Sequence, residues 1–448
     1  MPSRTVTAVL AVALLAPALE GQSIVLPNYE RVRIGQREAL EAGAFVARTS
    51  DAVAGWYNPA GLALSPKSGL NASASAEEWV RFQFGGANAE VARARIQSLG
   101  TFVGGVLGPP VIKSDRWRLG FSFSRPVSWR PSAVNTAFSG TVPGGTELVD
   151  YASEVEFSTW VPALAAGYKA TEAVRLGLRV AGAVTHLSED ESLADRVTAG
   201  GTAAFSQRLR AGDGNVYHVL LSGGVQWDVS RTVSVGAHVT APGIRIGGKS
   251  LVAIQRSAFA DTGSTDLNFR DPATTFDYKL PMRAAGGLAL RFGQGEVEVD
   301  VIYVGAADAY DVYATTDSAV VTVVDSTGAA TVTTTTVGPV RYSARDVVNV
   351  AVGGHYRLSR VVKLHGGVFT DRSPVDDQTS SPFTGIDLVG ATLGVSVGAG
   401  RLTGSVGLVY SAGTSDEITL GPLLSGQTQT ADMSVRSITL TYAVSFAF

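Results

Sequence analysis

The sequence predicts an all-β chain, a transmembrane antiparallel β-barrel of about fourteen strands with an N-terminal hatch domain inside it. Three observations carry this. The C-terminal residues alternate between apolar and small polar side chains. Short and long connections alternate along the chain. A stretch without that alternation, Gly43 to Leu64, precedes all the strands.

Composition narrows the class first. Of 448 residues 45% are hydrophobic and 17% charged, against roughly 25% charged in average soluble domains. The 51 glycines exceed the usual proportion of about 7%. Cysteine is absent, so disulfides and thiolate metal sites are excluded. The net charge is −3 and no basic block occurs, which argues against a nucleic-acid partner.

At the N-terminus, Arg4 precedes an apolar run from Val6 to Leu15 and then Ala16-Pro17-Ala18. Residues 1–18 therefore read as a secretory signal peptide cleaved after Ala18, with Gly21 as an alternative site. No cysteine follows to carry a lipid anchor, and no run of 18 apolar residues could span a membrane as a helix. Residues 19–68 form the expected hatch, with Arg37 to Arg48 able to make a short helix or two turns. Within it, Asn58-Pro59-Ala60-Gly61 is a strong turn signal.

Residues 69–448 read as the barrel. In the last strand Ile438, Leu440, Tyr442, Val444, Phe446 and Phe448 share one face, and Ser437, Thr439, Thr441, Ala443, Ser445 and Ala447 the other. One face suits hydrocarbon and the other a wet or filled interior. Trp117 to Ser124, Val174 to Ala181 and Glu296 to Tyr303 repeat the pattern. A soluble sandwich also alternates; here the faces that end in aromatics are the apolar ones, and their opposites are small and polar with isolated charges.

Short turns are placed near Lys113–Asp115, Ala170–Glu172, Asp228–Arg231, Gly293–Gly295, Leu358–Arg360 and Gly398–Gly400. Long polar gaps are placed at Arg81–Gln97, Arg130–Asp150, Ser188–Gly214, Gly248–Thr275, Asp311–Arg341, Asp371–Asp387 and Ala412–Asp432. These suit periplasmic turns and extracellular loops respectively. The Thr-rich gap 311–341 is expected to extend two strands as a hairpin. An even strand count puts both barrel termini on the periplasmic side, where the hatch has little room except inside the wall.

The opening stretch, with Gly43-Ala44-Phe45-Val46-Ala47, Asp51-Ala52 and Trp56-Tyr57-Asn58-Pro59-Ala60-Gly61-Leu62-Ala63, resembles the long-chain fatty acid transporter (FadL-like) family of outer-membrane proteins. Gly366 to Val375, ending in Ser-Pro-Val, and Thr240-Ala241-Pro242-Gly243-Ile244 resemble the same family, while the loops diverge. The resemblance implies passive uptake of a hydrophobic ligand, such as a long-chain fatty acid, past lipopolysaccharide, followed by lateral exit into outer-membrane lipid. It implies a monomer. The terminal Phe448, with Phe446 and Tyr442, resembles the signal read by the barrel-assembly machinery.

Under that reading Asn58, Pro59, Ala60 and Gly61 are the hatch turn packed against a wall strand at the exit; the plainer reading is an ordinary turn. Gly120 and Pro126 are candidates for the lateral opening, because each weakens a ladder. Leu251, Val252, Ile254 and Phe259, apolar residues in a gap expected to be wet, are ligand-capture candidates. Arg283 could hold a ligand carboxylate. With Arg118, Arg175, Arg179, Lys279, Arg291, Glu296, Glu298 and Asp300 it could instead pair within the barrel and with the hatch.

No cofactor and no metal site is expected, since His186, His218, His238, His355 and His365 lack a ligand spacing. They also lack a catalytic signature, so no enzyme is expected. An adhesive or structural barrel without a transported ligand is the alternative function; an open aqueous porin is disfavoured by the hatch.

Overall fold

The computed structural model describes residues 25–65, 68–84, 90–92, 99–109, 111–130, 134–376, 379, 383–420 and 429–448. The expected signal peptide, part of the Arg81–Gln97 gap and part of the Ala412–Asp432 gap lie outside the described residues.

Fourteen antiparallel strands close into a barrel. In chain order they are β1 (Gly69–Phe84), β2 (Leu99–Leu107), β3 (Trp117–Trp129), β4 (Gly145–Lys169), β5 (Val174–Ala199), β6 (Thr202–Asp228) and β7 (Val233–Thr240). They continue with β8 (Arg283–Phe292), β9 (Gly295–Val304), β10 (Val347–Arg357), β11 (Val362–Asp371), β12 (Leu388–Ala399), β13 (Leu402–Leu420) and β14 (Gln429–Ala447). Each pairs with its sequence neighbour, and β1 pairs with β14 from Gly69↔Ala447 onward, which closes the wall.

The wall is inside-out relative to a soluble protein. On β5, Leu178 is 71% exposed while its neighbour Arg179 is 3% exposed. Leu119, Phe121, Leu288, Val299, Val301, Val444 and Phe446 likewise face outward. Trp117, Trp227, Phe292, Tyr356 and Phe448 crowd the end with the short turns, the interfacial place for aromatics. Among the described residues no helix is long and apolar enough to cross a membrane.

The gaps read as long loops are mostly strand. β5 and β6 run for 26 and 27 residues and meet at Gly200-Gly201, whereas a membrane crossing takes about 9–11. More than half of each therefore stands clear as a hairpin. Strands Ile244–Ala260 and Gly263–Phe276 form a second hairpin above β7 and β8, beyond the break at Ala241-Pro242-Gly243. Gap 311–341 does extend as a hairpin, pairing Ser318–Asp325 with Ala330–Thr336. Above the membrane the outer face of a strand is wet and the inner face mixes buried Leu193, Val252 and Leu267 with buried Glu191 and Asp195, so no clean apolar stripe marks it as one.

Residues 25–65 lie inside the barrel, nearly all of them buried. The expected helix over 37–48 is shorter: α1 spans Arg37–Leu40, and the chain then turns through Ala42 and Gly43 at φ 58° and 79°. A second turn of helix, α2 (Ala54–Tyr57), leads to a 3₁₀ helix at Pro59–Leu64.

The glycine surplus has a use here. A Cβ at Gly224 would lie 2.1 Å from Asn58 Oδ1, and one at Gly177, Gly236 or Gly353 would strike the inserted backbone. The segment fits because the wall facing it is stripped to backbone.

Candidate functional site: a pocket beside a break in the wall

Two kinds of polar group hold the inserted segment. Inward-facing acids of β9 capture consecutive backbone N–H groups: Asp300 accepts from Phe45 N (2.8 Å) and Val46 N (3.1 Å), and Glu298 accepts from Ala47 N. Arg48 then bonds Glu298 (2.9 Å) and Glu41 (2.6 Å). Charge-assisted bonds in a closed site contribute about 1.5–3 kcal/mol each, enough to set the register of the segment. Several lumen charges pair with the segment or with one another, including Arg291 with Glu296 and Arg175 with Asp228, and Arg118 bonds the Ser65 carbonyl. Arg179 instead has its Nε and Nη2 buried without a hydrogen bond among the described residues. Lys279, read as inward, is exposed and lies over the Tyr310 ring.

Asn58 is the second anchor. It is fully buried; its Nδ2 donates to Val46 O (2.8 Å) and to Val225 O of β6 (2.9 Å), with Ala237 O of β7 at 3.3 Å. Its Oδ1 accepts from Ala60 N and caps the 3₁₀ helix, with Pro59 as the first helical residue. Ala60 abuts Gly177 of β5, and Gly61 abuts the Thr49 carbonyl. The turn therefore faces β5–β7.

The break in the wall is elsewhere, in β3. Ser124 pairs with Val161 and Val127 with Thr159, so Arg125 and Pro126 together oppose one residue of β4. Pairing with β2 ends at Phe102↔Ser124. Up to Ser124 the side chains of β3 alternate out and in; from Ser124 to Trp129 all are buried. The strand has turned into the barrel. Pro126 cannot donate to a ladder, and its carbonyl accepts from Val32 N of the inserted segment (3.2 Å). Gly120 lies in an intact part of β3, pairing with both neighbours, and gives its space to Leu62.

Between the break and the segment is a pocket of about 100 Å³. Tyr29 and Trp56 of the segment, Pro126 and Val127, Val161, Leu220, Tyr278, Leu280 and Pro281 make it apolar. Arg179, His238 and Arg283 supply its polar edge. Arg283 bonds Glu30 (2.9 Å), while the Arg179 guanidinium lies over the Trp56 ring at 5.5 Å.

The capture candidates are dispersed rather than gathered. Val252 is fully buried in the apolar interior, Ile254 lines a cavity of about 920 Å³ between the hairpins, and Leu251 is half-buried. Phe259 is exposed at its hairpin tip, stacked on Phe205 at 6.5 Å. An aromatic cluster lies between this cavity and the pocket along β4, where Ser153 lines the cavity, Phe157 belongs to the cluster and Val161 lines the pocket. Phe157, Tyr278, Tyr342 and Phe383 meet there, with ring centroids 5.0 Å apart for Phe157–Tyr278 and 4.7 Å for Tyr342–Phe383. Nothing in the spacing of these four residues announced the cluster.

Sequence reading also missed a side-chain group on the segment. His355 and His365 are cross-strand partners on β10 and β11, and both turn Nδ1 to Glu41. The signal was present only in part: the pairing is centred on Arg360, whereas the turn read at Leu358–Arg360 is centred on Ser359 and would have set His355 opposite Lys363.

No family model matches the sequence, and no curated relative matches it. Solved structures do. The Pseudomonas putida toluene transporter TodX aligns over 94% of this chain and 99% of its own, with a TM-score of 0.60 at 14% identity. A Pseudomonas aeruginosa FadL homologue aligns over 94% and 100%, with a TM-score of 0.56 at 12% identity. The Ralstonia pickettii toluene transporter TbuX aligns over 94% and 99%, with a TM-score of 0.56 at 14% identity. The chain has the FadL-like fold: a fourteen-stranded barrel of the outer-membrane type, closed around its own N-terminal segment.

Proposed function

We propose that the protein is an outer-membrane channel, not an enzyme, that carries small hydrophobic molecules inward by passive diffusion and releases them sideways into the bilayer. Residues 1–18 are its signal peptide, 19–68 its hatch and 69–448 its barrel. It works as a monomer placed by the barrel-assembly machinery. The observation that carries this reading is the apolar pocket lying against the Ser124–Val127 register break.

The physics favours a sideways route. Returning a chain from an apolar site to water costs about 0.8 kcal/mol per CH₂, so a dry passage from pocket to lipid removes the largest barrier. A ligand enters among the hairpins, passes the Phe157–Tyr278–Tyr342–Phe383 cluster as those rings move, and reaches Tyr29 and Trp56. The pocket has the scale of a single aromatic ring. A long-chain fatty acid would therefore extend its tail out through the break, with Arg283 or Arg179 near its carboxylate. The names of the similar transporters support toluene-sized ligands equally.

Val127→Trp tests it by filling the pocket. Uptake of a labelled fatty acid and of toluene should fall at least tenfold, while heat-modifiable migration on gels stays that of an assembled barrel. Unchanged uptake of both would sink the reading.

A further inference from the structure

We propose that Glu41, His355 and His365 form a binding site for a divalent transition-metal ion, Zn²⁺ by the chemistry of its donors, which staples the inserted segment to the wall. Each residue offers one ligand atom, and the three atoms lie within 4.8 Å of one another. They come from three elements: the end of α1, β10 and β11.

The two histidines sit directly opposite each other across the hairpin, with ring centroids 5.7 Å apart. His365 Nδ1 is 2.6 Å and His355 Nδ1 3.2 Å from the same oxygen, Glu41 Oε1. Ligand atoms around a tetrahedral zinc lie roughly 3.3–3.5 Å apart, given bonds of about 2.0–2.1 Å. The His355 contact is already near that spacing, and the His365 contact needs to open by roughly 0.8 Å.

The surroundings prepare each donor. The other carboxylate oxygen, Glu41 Oε2, is held by Arg48 at 2.6 Å, which leaves Oε1 as a monodentate ligand. Ser396 Oγ lies 2.7 Å from His365 Nε2 while Nδ1–H donates to Glu41; an ion displaces the Nδ1 proton, and the hydroxyl then turns to accept the Nε2–H and orients the ring. His355 Nδ1 is buried without a well-formed hydrogen bond. Glu298 and Glu296 lie 2.9 and 3.6 Å from Arg48, so that arginine is shared among three carboxylates, with Arg37 and Lys363 the other cations acting on Glu41.

Two nitrogens and one oxygen suit zinc, cobalt or nickel better than calcium or magnesium, and three protein ligands leave a fourth position for water. His355 is close to the short turn at Leu358–Arg360 and its side chain is 9% exposed, so an ion enters from that end. The Glu41 backbone touches Gly353, so an ion here joins segment to wall where the two already meet.

The test uses the full-length, untagged protein in detergent, stripped with chelator and titrated with Zn²⁺ against a chromophoric chelator, then with Co²⁺. One ion per chain is expected, with a Kd at or below the order of 1 μM. Co²⁺ should give the intense visible bands of a four-coordinate site. His355→Gln should weaken binding at least a hundredfold, and Ser396→Ala roughly tenfold through lost orientation. Both variants should keep heat-modifiable migration; should His365→Ala fail to assemble, these two still decide. No stoichiometric ion in the wild type, or His355→Gln binding as tightly as the wild type, overturns the site.

Discussion

The barrel interior divides into two regions built on different physics. Toward the short turns it is polar and directional, with wall acids and amides addressing individual backbone groups of the inserted segment, as Asp300 does Phe45 and Val46. Toward the hairpins it is apolar and aromatic, with Trp129, Phe157, Tyr313, Tyr342 and Ile386 fully buried. The change happens within single strands: on β14 the inward positions are Thr441 and Ser437 near one end, then Val435 and Met433 near the other. A hydrogen-bonded fit has one register. Packed rings can slide past one another, which suits the passage proposed for this region.

Removing the segment should expose the contrast most strongly. Deleting residues 25–65 should leave an assembled barrel whose ion conductance rises from near closure to that of an open pore, measured in planar bilayers, and whose hydrophobe uptake is lost. Low conductance would mean that the aromatic region alone seals the lumen.

Next in size are changes where the wall meets the segment. Gly224→Val drives a side chain into Asn58, and Asn58→Ala strands the Val225 carbonyl it serves. Each should destabilise segment docking by about 1–3 kcal/mol, read as faster backbone hydrogen exchange over residues 44–62. Heat-modifiable migration should not change, but uptake should fall. Failure of assembly would make the Asn58 turn purely structural.

In the apolar region the sign should reverse. Phe383→Ala removes a ring that touches Phe157, Tyr278 and Tyr342, at a local cost of about 3–5 kcal/mol. Passage of bulky hydrophobes should quicken while the segment stays docked. Slower uptake would show the cluster to be a binding platform instead of a barrier. The smallest effect belongs to Phe259→Ala at the exposed hairpin tip, within about 0.5 kcal/mol in stability, with uptake altered less than twofold.

Much of the wall was legible because hydrocarbon outside and protein inside impose a period of two. The faces of β14, the six short turns, and the Pro126 position where β3 leaves its neighbour follow from alternation and backbone chemistry alone. The first two hairpins were not legible: along Asp190-Glu191-Ser192-Leu193-Ala194-Asp195 the inward positions are Glu191, Leu193 and Asp195, all buried, so charged and apolar residues share one face. The capture candidates were read from that unlit region, and they scatter accordingly. Asn58 was singled out from its turn chemistry, but its partners Val225 and Ala237 are carbonyls, and any residue type supplies a carbonyl.

The central claim is that hydrophobes pass through the pocket and leave by the break in β3. Photolabelling with a diazirine-bearing fatty acid and a diazirine-bearing toluene analogue, read by peptide mass spectrometry, addresses it directly. The account predicts adducts on Tyr29, Trp56 and Val127, competed by unlabelled ligand and absent in Val127→Trp. Saturable labelling confined to outward residues such as Leu119 and Leu178, with none in the pocket, would contradict it.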